Sequence, residues 1–425
     1  MPSFIVEGGQ ALQGSVRPAG NKNAALPMLA ATLLADGTVT LRNVPRIRDV
    51  ETMIELLAAQ GVQFSWSDEH TLVADARAAR SGDPDPALCG RIRASILLAG
   101  PMLARFGRVR LPPPGGDVIG RRRVDTHLLA LQRLGAEVNV GTTFDFEAKQ
   151  LKGDDIFLDE ASVTGTENAL MAAAVAQGRT VLRNAASEPH VQDLANMLVA
   201  MGAHIEGIGT NTLTIDGGAK LAGTDVTIGP DHIEIGSFIG LAAVTDSEIT
   251  IADVRPADLR ATLFGFERLG VMARLDGDTL VVRKGQPRRI SEDLGGHVPK
   301  LEDGVWPFFP ADLMSIALVT ATQCEGTILI HEKLFESRLF FVDKLIGLGA
   351  RIVLCDPHRC VVAGPSRLRG GVVESPDIRA GMAMLLAALA AEGTSTINNI
   401  GQIERGYEKI HERLKSLGAK IERRD

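Results

Sequence analysis

One phrase recurs six times along the chain: a helical apolar pattern that ends in Leu-Gly-Ala, or a close variant, and then enters a short strand. It reads LLAAQGVQF from Leu56, LQRLGAEV from Leu131, LVAMGAHI from Leu198, FERLGVMA from Phe266, LIGLGARI from Leu345 and LKSLGAKI from Leu414. In each copy a glycine (Gly61, Gly135, Gly202, Gly270, Gly349, Gly418) stands where a helix closes on a left-handed residue, a conformation that glycine adopts without strain. The copies lie on the order of 70 residues apart, too far for a solenoid repeat, so each unit is a module of several elements.

A second phrase falls between the copies, an Ala/Leu-rich helix, a turn and an alternating strand, as in LAATLLADGTVTLRNV, MAAAVAQGRTVLRNA and LLAALAAEGTSTINNI. Two of these helices, SILLAGPMLA (95–104) and AMLLAALAA (383–391), are apolar on nearly every face, which predicts full enclosure. Segments such as VDKLIGLGA keep a polar face and belong nearer solvent. Helices inside and sheets around them satisfy both patterns, and six units divide most simply into two domains of three. The boundary is expected near 225–231, after the third unit.

Composition narrows the function. The formal net charge of -7 disfavours nucleic acid or an anionic membrane as a partner, and 4% aromatic residues offer few platforms for stacking bases. An anionic ligand would therefore depend on local arginine clusters. Cys89, Cys324, Cys355 and Cys360 show no C-x-x-C pair or zinc spacing and read as reduced thiols. The first residues lack a basic region followed by an apolar run, and a cytoplasmic location is expected.

Polar residues that the repeat does not require carry the chemical information. Lys22 and Asn23 open the helix of AGNKNAALP (19–27), where a lysine opposes the helix dipole but suits an anion bound at the helix start. In LPPPGGDVIGRRRVDTH (111–127), Asp117 stands among Gly115, Gly116 and Gly120 and is followed by Arg121, Arg122 and Arg123. Glycines permit a lid and guanidiniums suit phosphate, although such a loop taken alone marks a turn before a solvated basic face. In the second half Asp312, Arg338, Asp377, Arg379 and Arg405 occupy unit ends, a placement that points to one shared anionic cleft between the domains.

Together these segments resemble the enolpyruvyl transferases, and within them the UDP-N-acetylglucosamine 1-carboxyvinyltransferases. The similarity runs along the whole chain through NKNAALP (21–27), RASILLAGPMLARFG (93–107), PGGDVIGRRRVDTH (114–127), TGTENALMAA (164–173), NAASEPHVQDLANML (184–198), PDHIEIGSF (230–238), FPADLMS (309–315), LFESR (334–338), PDIRAG (376–381) and IERGYEKI (403–410). Gly-Asn-Lys-Asn at 20–23 replaces the Gly-Ser-Lys-Ser usual in the 3-phosphoshikimate branch. The resemblance implies an α/β (α+β) enolpyruvyl transferase fold of two inside-out α/β barrels, each of three βαβαββ-type repeats. One would span 22–229 and carry the lid at about 112–123; the other would join 1–21 to 230–425, with hinges near 22 and 230 and the active site in the interdomain cleft.

It further implies enolpyruvyl transfer from phosphoenolpyruvate to the 3-hydroxyl of UDP-N-acetylglucosamine by addition and elimination, with no metal or organic cofactor. Lys22, Arg122 and Arg405 would hold the phosphate, and Arg93, Arg338 and Arg379 would complete the cationic site. Asn23 and Asp312 would bind the sugar, with Asp312 as base for its hydroxyl, and Asp377, beside Arg379, would be among the substrate-binding residues. The nucleotide would contact Arg122, Arg123, Val124, Asp125, Thr126, Ser162, Val163 and Thr164, with Leu334 packing nearby. Asp117 stands where many members carry cysteine and would be the proton donor. The flanking arginines favour its anion, and bound substrate anions favour the acid, so proton loading is expected to follow lid closure. Fosfomycin alkylates the family's cysteine, so Asp117 implies resistance. Arg123, His232 and Glu160 replace, respectively, a common proline, a usual arginine and a lysine of some members. A transferase for another nucleotide sugar and a catalytically silent nucleotide-sugar sensor are the alternatives. The oligomeric state stays open.

Overall fold

A computed structural model describes residues 2–117 and 119–425; Met1, in the segment assigned to the second barrel, and Val118, in the expected lid, lie outside the described residues. The chain forms two compact units: an N-terminal one of Gly20–Asp117 and Arg122–Gly229, and a C-terminal one of Met1–Ala19, Val118–Arg121 and Pro230–Asp425.

In the N-terminal unit the inner helices are α1 (Lys22–Ala31), α2 (Ala99–Phe106) and α3 (Val163–Val175). In the C-terminal unit they are α4 (His232–Val244), α5 (Met314–Thr322) and α6 (Ile378–Ala390). Every residue of α4 and α5 is buried, as the apolar composition of such segments predicts. Ser237, the C-cap Thr245 and Thr320 return their hydroxyls to the carbonyls of Ile233, Leu241 and Ile316, while Ser315 donates to Arg379 O and Glu234 pairs with Arg413. Each unit has its own apolar core.

Six sheets surround these helices among the described residues, five with four strands and one with three. In four of them the strand after the inner helix is central. It pairs antiparallel with the second strand of the hairpin that follows the outer helix, and a short parallel strand covers its other side. The last repeat lacks that second hairpin strand. Its place is taken by Ser3–Glu7, antiparallel to both Thr394–Asn398 and Lys420–Arg424. The two short strands that precede α1 and α4 pair away from the helices they lead into: Gln13–Val16 lies parallel to Glu248–Ile251, and Asp225–Thr227 to Thr40–Arg42. The chain passes from one unit to the other just after each of these strands.

All six predicted helix-closing glycines have positive φ, from 72° at Gly270 to 113° at Gly202. The expected continuous helix at 95–104 is instead a 3-10 segment, Arg93–Leu98, followed by α2. Pro101 falls in the first turn of α2, where a missing amide hydrogen forfeits no intrahelical bond, and so favours a helix that starts there. No helix among the described residues is long and apolar enough to cross a membrane.

Candidate active site

In the C-terminal unit a carboxylate is clasped by two buried guanidiniums. Asp312 lies in the 3-10 turn Ala311–Leu313 that leads into α5. Its Oδ1 accepts from Arg338 Nη2 at 2.9 Å, and its Oδ2 accepts from Arg379 Nη2 at 2.9 Å and Nε at 3.1 Å. Arg338 and Arg379 are both buried. Burial is the largest single influence and opposes the charge of each guanidinium, but Asp312 together with the other acidic groups nearby outweighs it, and the pKa of each lies above the ordinary arginine value. Two cations facing one carboxylate leave positive charge for an anion, which is the arrangement phosphate or carboxylate recognition requires.

Local structure holds the clasp. Asp377 is the N-cap of α6, accepting from the amides of Arg379 at 2.8 Å and Ala380 at 2.9 Å, and so fixes the turn from which Arg379 projects. The Arg379 guanidinium sits 5.5 Å from the centre of the Tyr407 ring, whose hydroxyl meets Ser237 Oγ at 2.9 Å. Arg405 Nη1 donates to Gln402 Oε1 at 2.9 Å within its own turn. Leu334 is 45% exposed in the turn that carries Arg338. That turn also holds the segment after Val118: Ser337 donates its amide to Ile119 O at 3.2 Å, and Glu336 Oε2 accepts from the amide of Arg121 at 3.0 Å.

In the N-terminal unit, Asn21 caps α1 by accepting from the amides of Asn23 and Ala24. Lys22 Nζ lies 3.2 Å from Asp49 Oδ2, both side chains largely buried. Arg93 donates through Nη2 to the carbonyls of Arg122 at 2.7 Å and Arg123 at 2.9 Å, which fixes the backbone of the basic triplet. Burial, with the nearby charge of Arg122, brings Arg93 down to about 10. Gly116, at φ 101°, lets the loop pass where a Cβ would stand 2.8 Å from Arg93 Cβ, and half-buried Asp117 follows it.

Several of the nucleotide-assigned residues are joined by hydrogen bonds. Arg123 pairs with Asp125 at 3.1 Å and Asp159 at 2.7 Å, and Thr126 Oγ1 donates to Asp159 at 2.8 Å. Ser162 caps α3, whose first residues are Val163 and Thr164, and the side chain of Val124 packs against the core of the unit. Fully buried His127 lies 3.1 Å from Thr164 Oγ1 through Nε2 and 2.8 Å from Asn168 Nδ2 through Nδ1. Asn168 Oδ1 accepts from the Gly100 amide, so its NH2 faces His127 and donates. The imidazole therefore carries its proton on Nε2 and gives it to Thr164. Burial, then the charge of Arg93, lowers His127 to about 3, so it is neutral at physiological pH.

Of the residues singled out in the sequence, Asp312, Arg338, Arg379 and Asp377 come together in one unit. Arg93, Arg122, Arg123, Asp125 and Thr126 do so in the other. Asp49, His127, Asp159, Asn168 and Tyr407 were missed. His127 and Asn168 lie inside motifs already quoted, but only the fold shows that their side chains meet.

The profile of the EPSP synthase (3-phosphoshikimate 1-carboxyvinyltransferase) family matches residues 6–414. The chain is 65% identical over 420 residues to a UDP-N-acetylglucosamine 1-carboxyvinyltransferase of Bradyrhizobium diazoefficiens, covering 99% of this chain and 97% of the relative. It is 55% identical over 422 residues to one of Treponema denticola, covering 99% of each. Among solved structures it resembles the enolpyruvyl transferase NikO from Streptomyces tendae, with a TM-score of 0.88 and 26% identity over 100% of this chain and 99% of that one. EPSP synthase from Acinetobacter baumannii, at 17% identity and a TM-score of 0.76 over 100% of both chains, shares the fold.

Proposed function

The chain belongs to the EPSP synthase family of enolpyruvyl transferases, and on that premise we propose how its own residues carry the reaction. It is a UDP-N-acetylglucosamine 1-carboxyvinyltransferase. It transfers the enolpyruvyl group of phosphoenolpyruvate to the 3-hydroxyl of the sugar and releases phosphate, the first committed step of peptidoglycan precursor synthesis. Its place of action is the cytoplasm.

The observation that carries the assignment of roles is the Asp312 clasp. Addition requires a proton on the methylene carbon of phosphoenolpyruvate, removal of the proton from the sugar hydroxyl, and a bond from that oxygen to C2. Asp312 is the base. As it takes the proton its charge is lost, and Arg338 and Arg379 turn toward the anionic groups of the tetrahedral adduct. Asp117 donates the proton to the methylene carbon. Asp117, left anionic by the addition, takes a proton back from the methyl carbon as the phosphate held by Lys22, Arg122 and Arg405 leaves, which restores the double bond; Arg93 holds the triplet that presents Arg122. Asn23 binds the sugar. The uridine diphosphate lies along Arg122, Arg123, Val124, Asp125 and Thr126 and along Ser162, Val163 and Thr164, with Leu334 against it. Asp377 acts through Arg379 by capping its helix.

Phosphate release from phosphoenolpyruvate and UDP-N-acetylglucosamine, with the product mass recorded, tests the activity. A product formed only from UDP-glucose or UDP-N-acetylgalactosamine would overturn the substrate assignment. Asp312→Asn should lower kcat by about 10²–10⁴-fold, the range of a lost general base. An unchanged kcat would remove Asp312 from that role.

A further inference from the structure

Glu332 is fully buried just beyond the strand Gly326–His331, and Asp303 is fully buried just beyond the strand Lys300–Glu302. These strands are parallel neighbours with Glu302 opposite His331, so the next step of the register places the side chains of Asp303 and Glu332 together on the inward face. Asp303 is close enough to Glu332 to favour its protonated form. Asp303 Oδ1 accepts from the Lys333 amide. Asp303 Oδ2 and both oxygens of Glu332 receive no hydrogen bond from a described residue. Arg338 Nε is 4.0 Å from Glu332 Oε2, beyond hydrogen-bond distance, and has no acceptor, while Nη2 of the same guanidinium holds Asp312.

Three buried carboxylate oxygens without a donor cannot belong to two anions side by side. A single proton between them removes the conflict, because a carboxylic acid can donate where a carboxylate cannot. An ionised Glu332 would also draw the guanidinium to roughly 2.8 Å rather than leave it standing off.

We propose that Glu332 and Asp303 share one buried proton and that neutral Glu332 is a positioning residue for Arg338. It fills the space beside the guanidinium without neutralising it, which leaves that charge to Asp312 and to the anionic substrate; this rests on the roles assigned above to Asp312 and Arg338. Burial raises Glu332 to about 9; Arg338 opposes this, and Asp303 and Asp312 add to it. Arg379 and Asp377 lie beyond Arg338, and the His358 ring nitrogen Nδ1 is 2.7 Å from the Glu332 carbonyl. Glu302, Lys300, His331 and Lys333 interact with one another through Glu302. Above the titration of Glu332 a second negative charge competes for Arg338.

Difference infrared spectroscopy of the substrate-free protein tests the proton directly. At pH 7 the parent should show the carbonyl band of a protonated carboxyl that Glu332→Gln lacks, and an absent band overturns the proposal whether or not the protein transfers enolpyruvyl groups. The consequence is read in kcat/KM for phosphoenolpyruvate. Glu332→Gln, with an amide standing in for the acid, should match the parent within about threefold at pH 7 and lose less activity above pH ~9. The same alkaline decline in both overturns it. Asp303→Asn removes the acceptor that holds the proton on Glu332, so the alkaline rise in KM should begin at lower pH, and the double variant Asp303→Asn/Glu332→Gln should abolish that rise. A double variant that keeps the rise of Asp303→Asn shows a merely structural role and overturns the proposal.

Discussion

Asp117 occupies a position where the resemblance leads one to expect a thiol, and the substitution exchanges a soft nucleophile for an oxygen acid that still delivers a proton. The thiolate is the form that epoxides alkylate. The parent protein should therefore take up no fosfomycin at residue 117 and keep its activity in the drug, whereas Asp117→Cys should be modified there and inactivated. Peptide mass spectrometry decides it, and an adduct on Asp117 would falsify the expectation. Asp117→Asn, unable to supply a proton, should lose about 10²–10⁴-fold in kcat with KM little changed. These residues were legible one by one because their chemistry conflicts with a structural role. What sequence order concealed is who meets whom: the two arginines that hold Asp312 are 26 and 67 positions away. The Lys22 to Asp49 pair, the neutral Nε2–H of His127 and the Glu332 to Asp303 contact were hidden for the same reason, since no periodicity reports a contact between side chains of different elements.

At the level of the elements, the closing glycines of the six outer helices were readable because a left-handed backbone leaves a mark in residue type. The 3-10 turn before α2 was less so, because the apolar run continues through it and only Pro101 marks the break. Glycines inside the inner helices have a different cause, the close approach of neighbours. A Cβ at Gly236 of α4 would come within 2.5 Å of Leu313 Cδ1, and Leu313 adjoins Asp312. Gly236→Ala should therefore cost roughly 1–3 kcal/mol by overpacking, and should lower kcat as well to the extent that the fully buried Leu313 passes the displacement to the Asp312 turn. Gly347, in the outer helix Val342–Gly347, has nothing within 4 Å of a built Cβ. Gly347→Ala should stabilise by roughly 0.5–1 kcal/mol through helix propensity alone and leave kcat unchanged. Urea unfolding of both variants checks the contrast, and equal effects would show that these glycines do not report close packing.

Across the whole molecule, buried titratable groups set opposite pH limits on stability, and the repeat gives each unit its own share. His127 in the N-terminal unit is lowered to about 3 by burial and then Arg93. His232 in the C-terminal unit is lowered to about 4: burial dominates, Asp312 opposes it, and Arg379 and Arg255 reinforce it. Both folded values lie below the ordinary one, so between them and about 6.5 the unfolded chain binds protons that the native state refuses. Their stabilisation is complete above that ordinary value and is lost as pH falls; at pH 5 each histidine should have given up about 2 kcal/mol relative to pH 7.5. Glu167 and Glu332 are shifted the other way, chiefly by burial, with Glu188 adding to it for Glu167; Arg338 opposes it and Asp303 adds for Glu332. Their folded values lie above the ordinary carboxyl value, so their contribution is full below about 4.5 and declines as pH rises toward the folded values. The opposed slopes largely cancel between about pH 4.5 and 6.5, so these groups favour the folded state most in that mildly acidic window and less on either side of it. They are separable by difference: His127→Gln and His232→Gln should each remove about 2 kcal/mol of pH dependence between pH 7.5 and 5 and nothing above it, whereas Glu332→Gln should remove a decline that starts near pH 4.5 and continues into the alkaline range. Urea unfolding across pH measures both limbs, and with two units it should be followed by a probe in each, because the acid loss from one histidine belongs to the unit that buries it. An acid limb left unchanged by both histidine variants would mean that these imidazoles titrate in the native state and are not buried neutral.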